Sequence, residues 1–188
     1  MSLGKLMRYS LSEGKSFVTL GQELATLREY LSFQCIRFGD RLTWEIRSDP
    51  GIEPLLIPRF TLQPIVENAV RHGIEPKVEG GRVVVSARRL RDRVRLVVAD
   101  SGVGMDPPLL SQIRAAASGS ASQARAEPGE DGRMPVCPGI GMANLELRLA
   151  YRYSGRARLA IASRPGRGTV IRISLPAAPS PEGRDDAV

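Results

Sequence analysis

Three features of the chain predict an α+β domain of about five strands and three helices. A long amphipathic segment follows a helix cap at Thr19, two β-branched runs lie side by side between Val83 and Ala99, and a last pair of short runs flanks Arg164–Gly168. With 188 residues, one core of this kind is expected.

In chain order, residues 3–18 mix Leu3, Leu6, Met7 and Leu11 with Ser and Gly, and read as the frayed end of a longer helix. Thr19-Leu-Gly-Gln22 has the form of a capping box, and Leu24, Leu27, Leu31, Cys35 and Phe38 recur behind it at helical spacing, predicting a helix over 20–38. Residues 40–47 alternate and end at Ser-Asp-Pro-Gly, as a strand ending in a turn does. A second helix is expected over 59–73. Val83–Leu90 and Val94–Ala99, separated by Arg91-Asp92-Arg93, suit a hairpin. A third helix is expected over 141–153, then strands over Leu159–Ser163 and Thr169–Leu175.

Residues 106–138 break the pattern. After a possible helical turn near Pro108–Ala117 they become rich in Ser, Ala, Gly, Glu and Pro, which cannot pack a core and read as a functional lid or as disorder. Residues 177–188 read as a disordered tail.

Composition narrows the function. Hydrophobic residues at 42% and charged residues at 25% are ordinary for a globular protein. No run approaches the ~20 apolar residues of a membrane span, and the N-terminus lacks a signal-peptide pattern, so a cytoplasmic domain is expected. Cys35 and Cys137 lack metal-site spacing and read as free thiols. The net charge is +7, and only Lys5, Lys15 and Lys77 are lysines among 27 basic residues. Aromatics at 5% and scattered arginines argue for a solvated surface and against nucleic acid as a partner.

Four motifs carry chemistry. In Gln63-Pro-Ile-Val-Glu67-Asn68-Ala-Val-Arg71-His72-Gly73, helical spacing puts Leu62, Ile65, Val66, Ala69, Val70 and Gly73 on one apolar arc. Glu67, Asn68, Arg71 and His72 fall on the other side, where an Asn carbonyl is a hard oxygen suited to magnesium. Asp100-Ser-Gly102-Val-Gly104-Met105 closes an apolar strand. Its glycines permit close backbone approach and its carboxylate can accept from an amine, although Asp-x-Gly is also ordinary turn chemistry. Gly139-Ile140-Gly141-Met142 opens a helix, where unpaired N–H groups form an anion site. Gly166-Arg-Gly168-Thr169 is a hairpin turn whose Thr hydroxyl could hold a water or a base edge.

In this order the motifs resemble the ATPase fold shared by gyrase B, Hsp90, histidine kinases and MutL, and not a Walker P-loop, since GxxxxGK[ST] is absent. Leu6–Leu11, Val18–Glu23, Tyr30–Phe38 and Gly139–Leu149 narrow the likeness, over about 3–176, to sensor kinases of the LytS/YehU type. The resemblance implies a two-layer α/β sandwich with a mixed sheet, the Bergerat ATP-binding fold with a flexible lid. A helical linker at 1–38 would precede an ATPase domain at 39–176, with the lid near 106–138.

The resemblance also implies roles. ATP and Mg2+ are the expected ligands. Asn68 would coordinate magnesium, Arg71 would contact the phosphates and His72 would line the site near base or ribose. Glu67 would be the polarising base. Asp100 would accept from the adenine amine, with Gly102, Gly104 and Met105 shaping that pocket and Thr169 assisting through a water. Gly139, Ile140, Gly141 and Met142 would hold phosphate through backbone N–H groups. Pro64 stands where many histidine kinases carry a second Asn, as in the LytS-like branch, and Ser101 replaces a common Asn. The implied activity is transfer of the ATP γ-phosphate to a histidine outside these residues, in a homodimeric, membrane-anchored kinase of the bacterial inner membrane that serves a response regulator. His72 is the single histidine of the chain. The alternatives are an anti-sigma-type serine kinase of the same fold and a non-catalytic nucleotide-regulated interaction module.

Overall fold

The structure is a computed structural model in which residues 17–117 and 140–177 are described. A five-stranded mixed sheet forms its frame, in the order β2-β4-β5-β7-β6. These are β2 (Leu42–Ser48), β4 (Gly81–Leu90), β5 (Arg93–Asp100), β6 (Arg158–Arg164) and β7 (Gly168–Pro176). Only β2 and β4 run parallel; the other pairs are antiparallel. A two-stranded ribbon, β1 (Phe17–Thr19) with β3 (Leu56–Pro58), lies apart from the sheet. The helices are α1 (Leu20–Phe38), α2 (Gln63–Asn68), α3 (Pro107–Ala117) and α4 (Ile140–Arg152).

Helix α1 begins where the capping box predicts. The Thr19 hydroxyl accepts from the Gln22 amide at 3.1 Å and the Gln22 side chain accepts from the Thr19 amide at 2.9 Å. Leu20, Leu24, Leu27 and Leu31 are buried, each contributing about 2 kcal/mol of hydrophobic stabilisation.

Alternation sorts the sheet's two faces. Val83, Val85 and Ala87 of β4, Val94, Leu96 and Val98 of β5, and Ile171, Ile173 and Leu175 of β7 are buried on one face. Their intervening neighbours form the other, more exposed face, where Glu45 is paired with Arg47 and Arg82. On that face Arg88 and Arg95, both exposed, are direct cross-strand partners. Among the described residues no helix is long and apolar enough to cross a membrane.

Several expectations need correction. Residues 17–18 are not the end of a helix: Phe17–Thr19 pairs with Leu56–Pro58, a strand too short for periodicity to reveal. Strand β2 starts at Leu42, because Gly39–Arg41 forms a 3-10 turn first. The helix expected over 59–73 starts at Gln63, since residues 58–62 are held in a turn by the Thr61 hydroxyl donating to the Pro58 carbonyl at 2.5 Å, with Phe60 at φ 60°. Beyond Asn68 it widens into a π-helical turn over Ala69–Ile74. Residues 107–117 form a helix, longer than the turn expected near Pro108–Ala117. Asp106 Oδ1 caps the Leu109 amide at 2.9 Å, Leu110 and Ile113 are buried, and Arg114 donates to the Ile161 carbonyl of β6 at 2.6 Å. Residues 1–16, the lid stretch 118–138, Gly139 with Cys137, and residues 178–188 of the tail lie outside the described residues. Cys35 is a free thiol, as expected.

Candidate functional site

The apolar arc of the α2 segment packs as its spacing predicts: Leu62, Ile65, Val66, Ala69 and Val70 are buried, while Asn68, Arg71 and His72 are exposed and Glu67 is half-buried. Pro64 is accommodated in the first turn, where its missing N–H would have had no partner. The Gln63 side-chain amide donates to the Glu67 carboxylate at 2.8 Å, fixing that acid along the helix. In the π turn the Glu75 amide reaches the Val70 carbonyl at 2.9 Å, an i→i+5 bond. The wider turn buries Gly73 and Ile74 while leaving Arg71 and His72 exposed.

Gly73 meets the end of β5. Alternation puts Asp100 in phase with Val94, Leu96 and Val98, so its side chain emerges on the helix-covered face. A methyl on Gly73 would lie 2.9 Å from Asp100 Oδ1, and one on Gly102 would lie 2.3 Å from the Gly73 carbonyl carbon. The Val103 amide then donates to the Gly73 carbonyl at 3.0 Å. No side chain could stand between these backbones.

Asp100 Oδ1 accepts from the Gly102 amide at 2.9 Å and from the Thr169 amide at 3.3 Å. Among the described residues Oδ2 accepts no hydrogen bond, so it remains to a ligand. Burial pushes the Asp100 pKa up, against the Gly102 and Thr169 amides and the Lys77 ammonium, which hold it down. Thr169 therefore helps Asp100 directly through its backbone N–H. Its hydroxyl is 2.9 Å from the Ser163 hydroxyl.

The remaining glycines serve close strand approach. Gly104, at φ +68°, would drive a methyl to 2.0 Å from the Arg164 carbonyl oxygen, and the Met105 amide donates to Ser163 Oγ at 2.9 Å. Met105 thus uses its N–H within the fold. At the start of α4, Ile140 and Gly141 occupy the first helical positions, and the Met142 side chain is buried in the core. Gly139 is outside the described residues, so the structure brings together Gly73, Asp100, Gly102, Gly104, Met105 and Thr169 but does not complete the glycine pair before α4.

Sequence reading missed Lys77, Glu23 and Arg148. Lys77 Nζ donates to the Ser101 carbonyl at 2.7 Å, and Ser101 Oγ accepts the Arg82 amide at 2.9 Å, bracing the Asp-x-Gly turn from outside. The clue was that a lysine stands here in a chain whose other bases are almost all arginine. Glu23 falls in the apolar stripe of α1, three residues after Leu20 and four before Leu27, and an acid in such a stripe was a readable signal. Its carboxylate accepts from the Leu62 amide at 2.6 Å and the Gln63 amide at 3.2 Å, capping α2. Desolvation pushes its pKa up to about 7, against those amides and Arg148.

Residues 39–179 match the family model described as histidine kinase-, DNA gyrase B-, and HSP90-like ATPase, and residues 1–42 match a model described as histidine kinase. The sensor histidine kinase YesM of Bacillus subtilis is 31% identical over 93% of this chain and 26% of its own length. The sensor protein kinase HptS of Staphylococcus aureus is 27% identical over 93% of the chain and 31% of its own length. The chain therefore spans less than a third of these curated relatives. Among solved structures, the nucleotide-free catalytic domain of the histidine kinase ThkA superposes with a TM-score of 0.57 at 14% identity, covering 87% of this chain and 97% of that one, a likeness of fold.

Proposed function

The chain belongs to the histidine kinase-, DNA gyrase B-, and HSP90-like ATPase family, and from this we propose that it is the Mg-ATP-binding catalytic part of a sensor histidine kinase. The γ-phosphate goes to a histidine outside these 188 residues. The observation that carries this reading is the Asp100 carboxylate: partly desolvated, fixed through Oδ1 by two backbone amides, with Oδ2 left for a ligand amine. Adenine offers such an amine, and the close Gly73–Gly102 approach leaves no side chain between helix and strand beside the carboxylate.

In this reading Asn68 is the magnesium ligand. Among the described residues no cluster of three or more His, Cys, Asp or Glu side chains could hold a metal, which fits an ion held by one Asn oxygen, phosphate and water. Bound magnesium supplies charge neutralisation at the phosphates. Arg71 adds a cation to them, and His72, next on the same exposed turn, lines the site near base or ribose. Glu67, steered by Gln63, polarises the incoming acceptor. Backbone N–H groups of Gly139, Ile140, Gly141 and Met142 hold phosphate at the positive end of α4. Gly102, Gly104 and Met105 keep the base pocket's shape, and the stretch at about 106–138 forms the lid. A neutral imidazole near its ordinary pKa of ~6.5 is a good nucleophile, so alignment and charge stabilisation carry the reaction.

The likeness to the sensor kinases YesM and HptS supports reading the whole protein as a sensor kinase, and the same proposal makes it a homodimer, anchored in the bacterial inner membrane, that serves a response regulator. The domain division at about residue 38 belongs to the same proposal. Calorimetry with Mg-ADP tests the site. Binding by the wild type and its loss in Asp100→Ala are expected; equal binding by both overturns the assignment of Asp100.

A further inference from the structure

Glu23 is, among the described residues, the only charged side chain with no exposed surface, and the nucleotide reading gives it no role. It belongs to α1, yet what it holds is the N-terminus of α2. Arg148 of α4 approaches the same place from the other side. Its guanidinium donates to the Arg59 carbonyl at 3.0 Å and the Phe60 carbonyl at 2.8 Å, gripping the turn that feeds α2. That turn is strained, with Phe60 at φ 60°, and it is sewn to the start of α1 by the β1–β3 ribbon and by the Leu20 amide donating to the Leu55 carbonyl at 2.7 Å. Three elements therefore converge on residues 59–63: the helix that enters the domain, the helix that carries Asn68, and the helix that opens after the lid stretch.

The junction is incompletely paired. Glu23 Oε2, Gln63 Oε1 and Arg148 Nε are all buried without a hydrogen-bond partner. Apolar side chains here would remove the hydrogen bonds to the Leu62 and Gln63 amides and to the Arg59 and Phe60 carbonyls, so the turn depends on both polar side chains. Unspent donors and acceptors at one point suit a junction that has more than one hydrogen-bonded arrangement.

We propose that Glu23 and Arg148 are positioning residues that hold the turn at 59–63 between them, so that a shift of α4 when nucleotide binds is delivered to α1. The proposal rests on the reading of the site as a nucleotide site, and its test has an arm that does not. By NMR amide exchange without ligand, Glu23→Ala raises exchange at the Leu62 and Gln63 amides by about tenfold or more. Glu23→Gln, whose amide oxygen can still accept both, stays near wild type. Arg148→Met, although it touches neither amide, raises exchange there too. Unchanged exchange at Leu62 and Gln63 in Arg148→Met overturns the junction whether or not nucleotide binds.

In the second arm, saturating Mg-ADP alters protection across Leu20–Phe38 in the wild type and in Glu23→Gln, but not in Glu23→Ala or Arg148→Met at equal saturation. An α1 response that persists in Arg148→Met overturns the proposal, as does its absence in a wild type that binds Mg-ADP. Failure of the wild type to bind Mg-ADP overturns the nucleotide reading instead, and the first arm still decides the junction.

Discussion

Gly73 and Asp100 touch across the helix–sheet boundary so closely that a single added methyl on Gly73 would reach to 2.9 Å from the carboxylate oxygen. In an ordinary helix Gly→Ala stabilises by about 0.5–1 kcal/mol. Here Gly73→Ala is expected to lose that gain and to push the Asp100 side chain out of place. Mg-ADP affinity should fall about tenfold or more, with little change in melting temperature. A melting curve paired with calorimetry checks this, and an alanine variant that binds as the wild type does removes the Gly73–Asp100 contact from the account.

Glu23 should impose an unusual pH dependence on stability. Its pKa is raised from 4.5 to about 7, with Arg148 the cation that opposes the rise. The folded state therefore keeps the proton that the unfolded state has lost. The stabilisation is full below pH 4.5, declines as pH rises, and is gone above about 7, a change on the order of 3 kcal/mol. Glu23→Gln cannot ionise, so its stability relative to wild type should climb across that window. Urea unfolding at pH 5 and pH 8 gives the difference, and equal differences at both would refute the assignment.

The isolated chain should bind nucleotide without labelling itself. His72, its single histidine, is exposed on the helix assigned to the ATP site. With radiolabelled ATP no acid-labile phosphate should accumulate. A stable label that disappears in His72→Gln would contradict the placing of the acceptor elsewhere.

Arg88 and Arg95 face each other across β4 and β5 on the open face. Like charges in direct register cost a few tenths to ~1 kcal/mol. Arg88→Glu should therefore stabilise the protein by roughly 0.5 kcal/mol at low salt, with the gain shrinking in 0.5 M salt as the charges are screened, roughly as the Debye length falls. Denaturant midpoints at the two salt concentrations measure it.

What the sequence revealed follows the range of the interactions involved. The helix over 20–38 was readable because its cap and its leucine stripe lie within the segment. The apolar arc of α2 was readable for the same reason, and so was the hairpin around Arg91-Asp92. The β1–β3 ribbon was hidden because two three-residue strands have no period to detect and pair across 36 intervening positions. The late start of α2 was hidden because the turn that delays it is completed by the capping carboxylate of Glu23, a partner 39 residues away from Leu62. The motif order pointed to Asp100 and Gly102, whereas Gly73's part needed the actual approach of a helix to a strand. Lys77 bonds to a carbonyl, a group common to every residue, so no pairing of side chains announced it.

The π turn over Ala69–Ile74 makes this stretch sensitive to length more than to identity. Deleting one residue inside it would close the turn to ordinary i→i+4 pitch and remove the widening in which Gly73 lies against Asp100. Many exposed substitutions here are tolerable in principle, but insertions and deletions are not. The approach of Gly73 to Asp100 is stored in this helix as a count of residues.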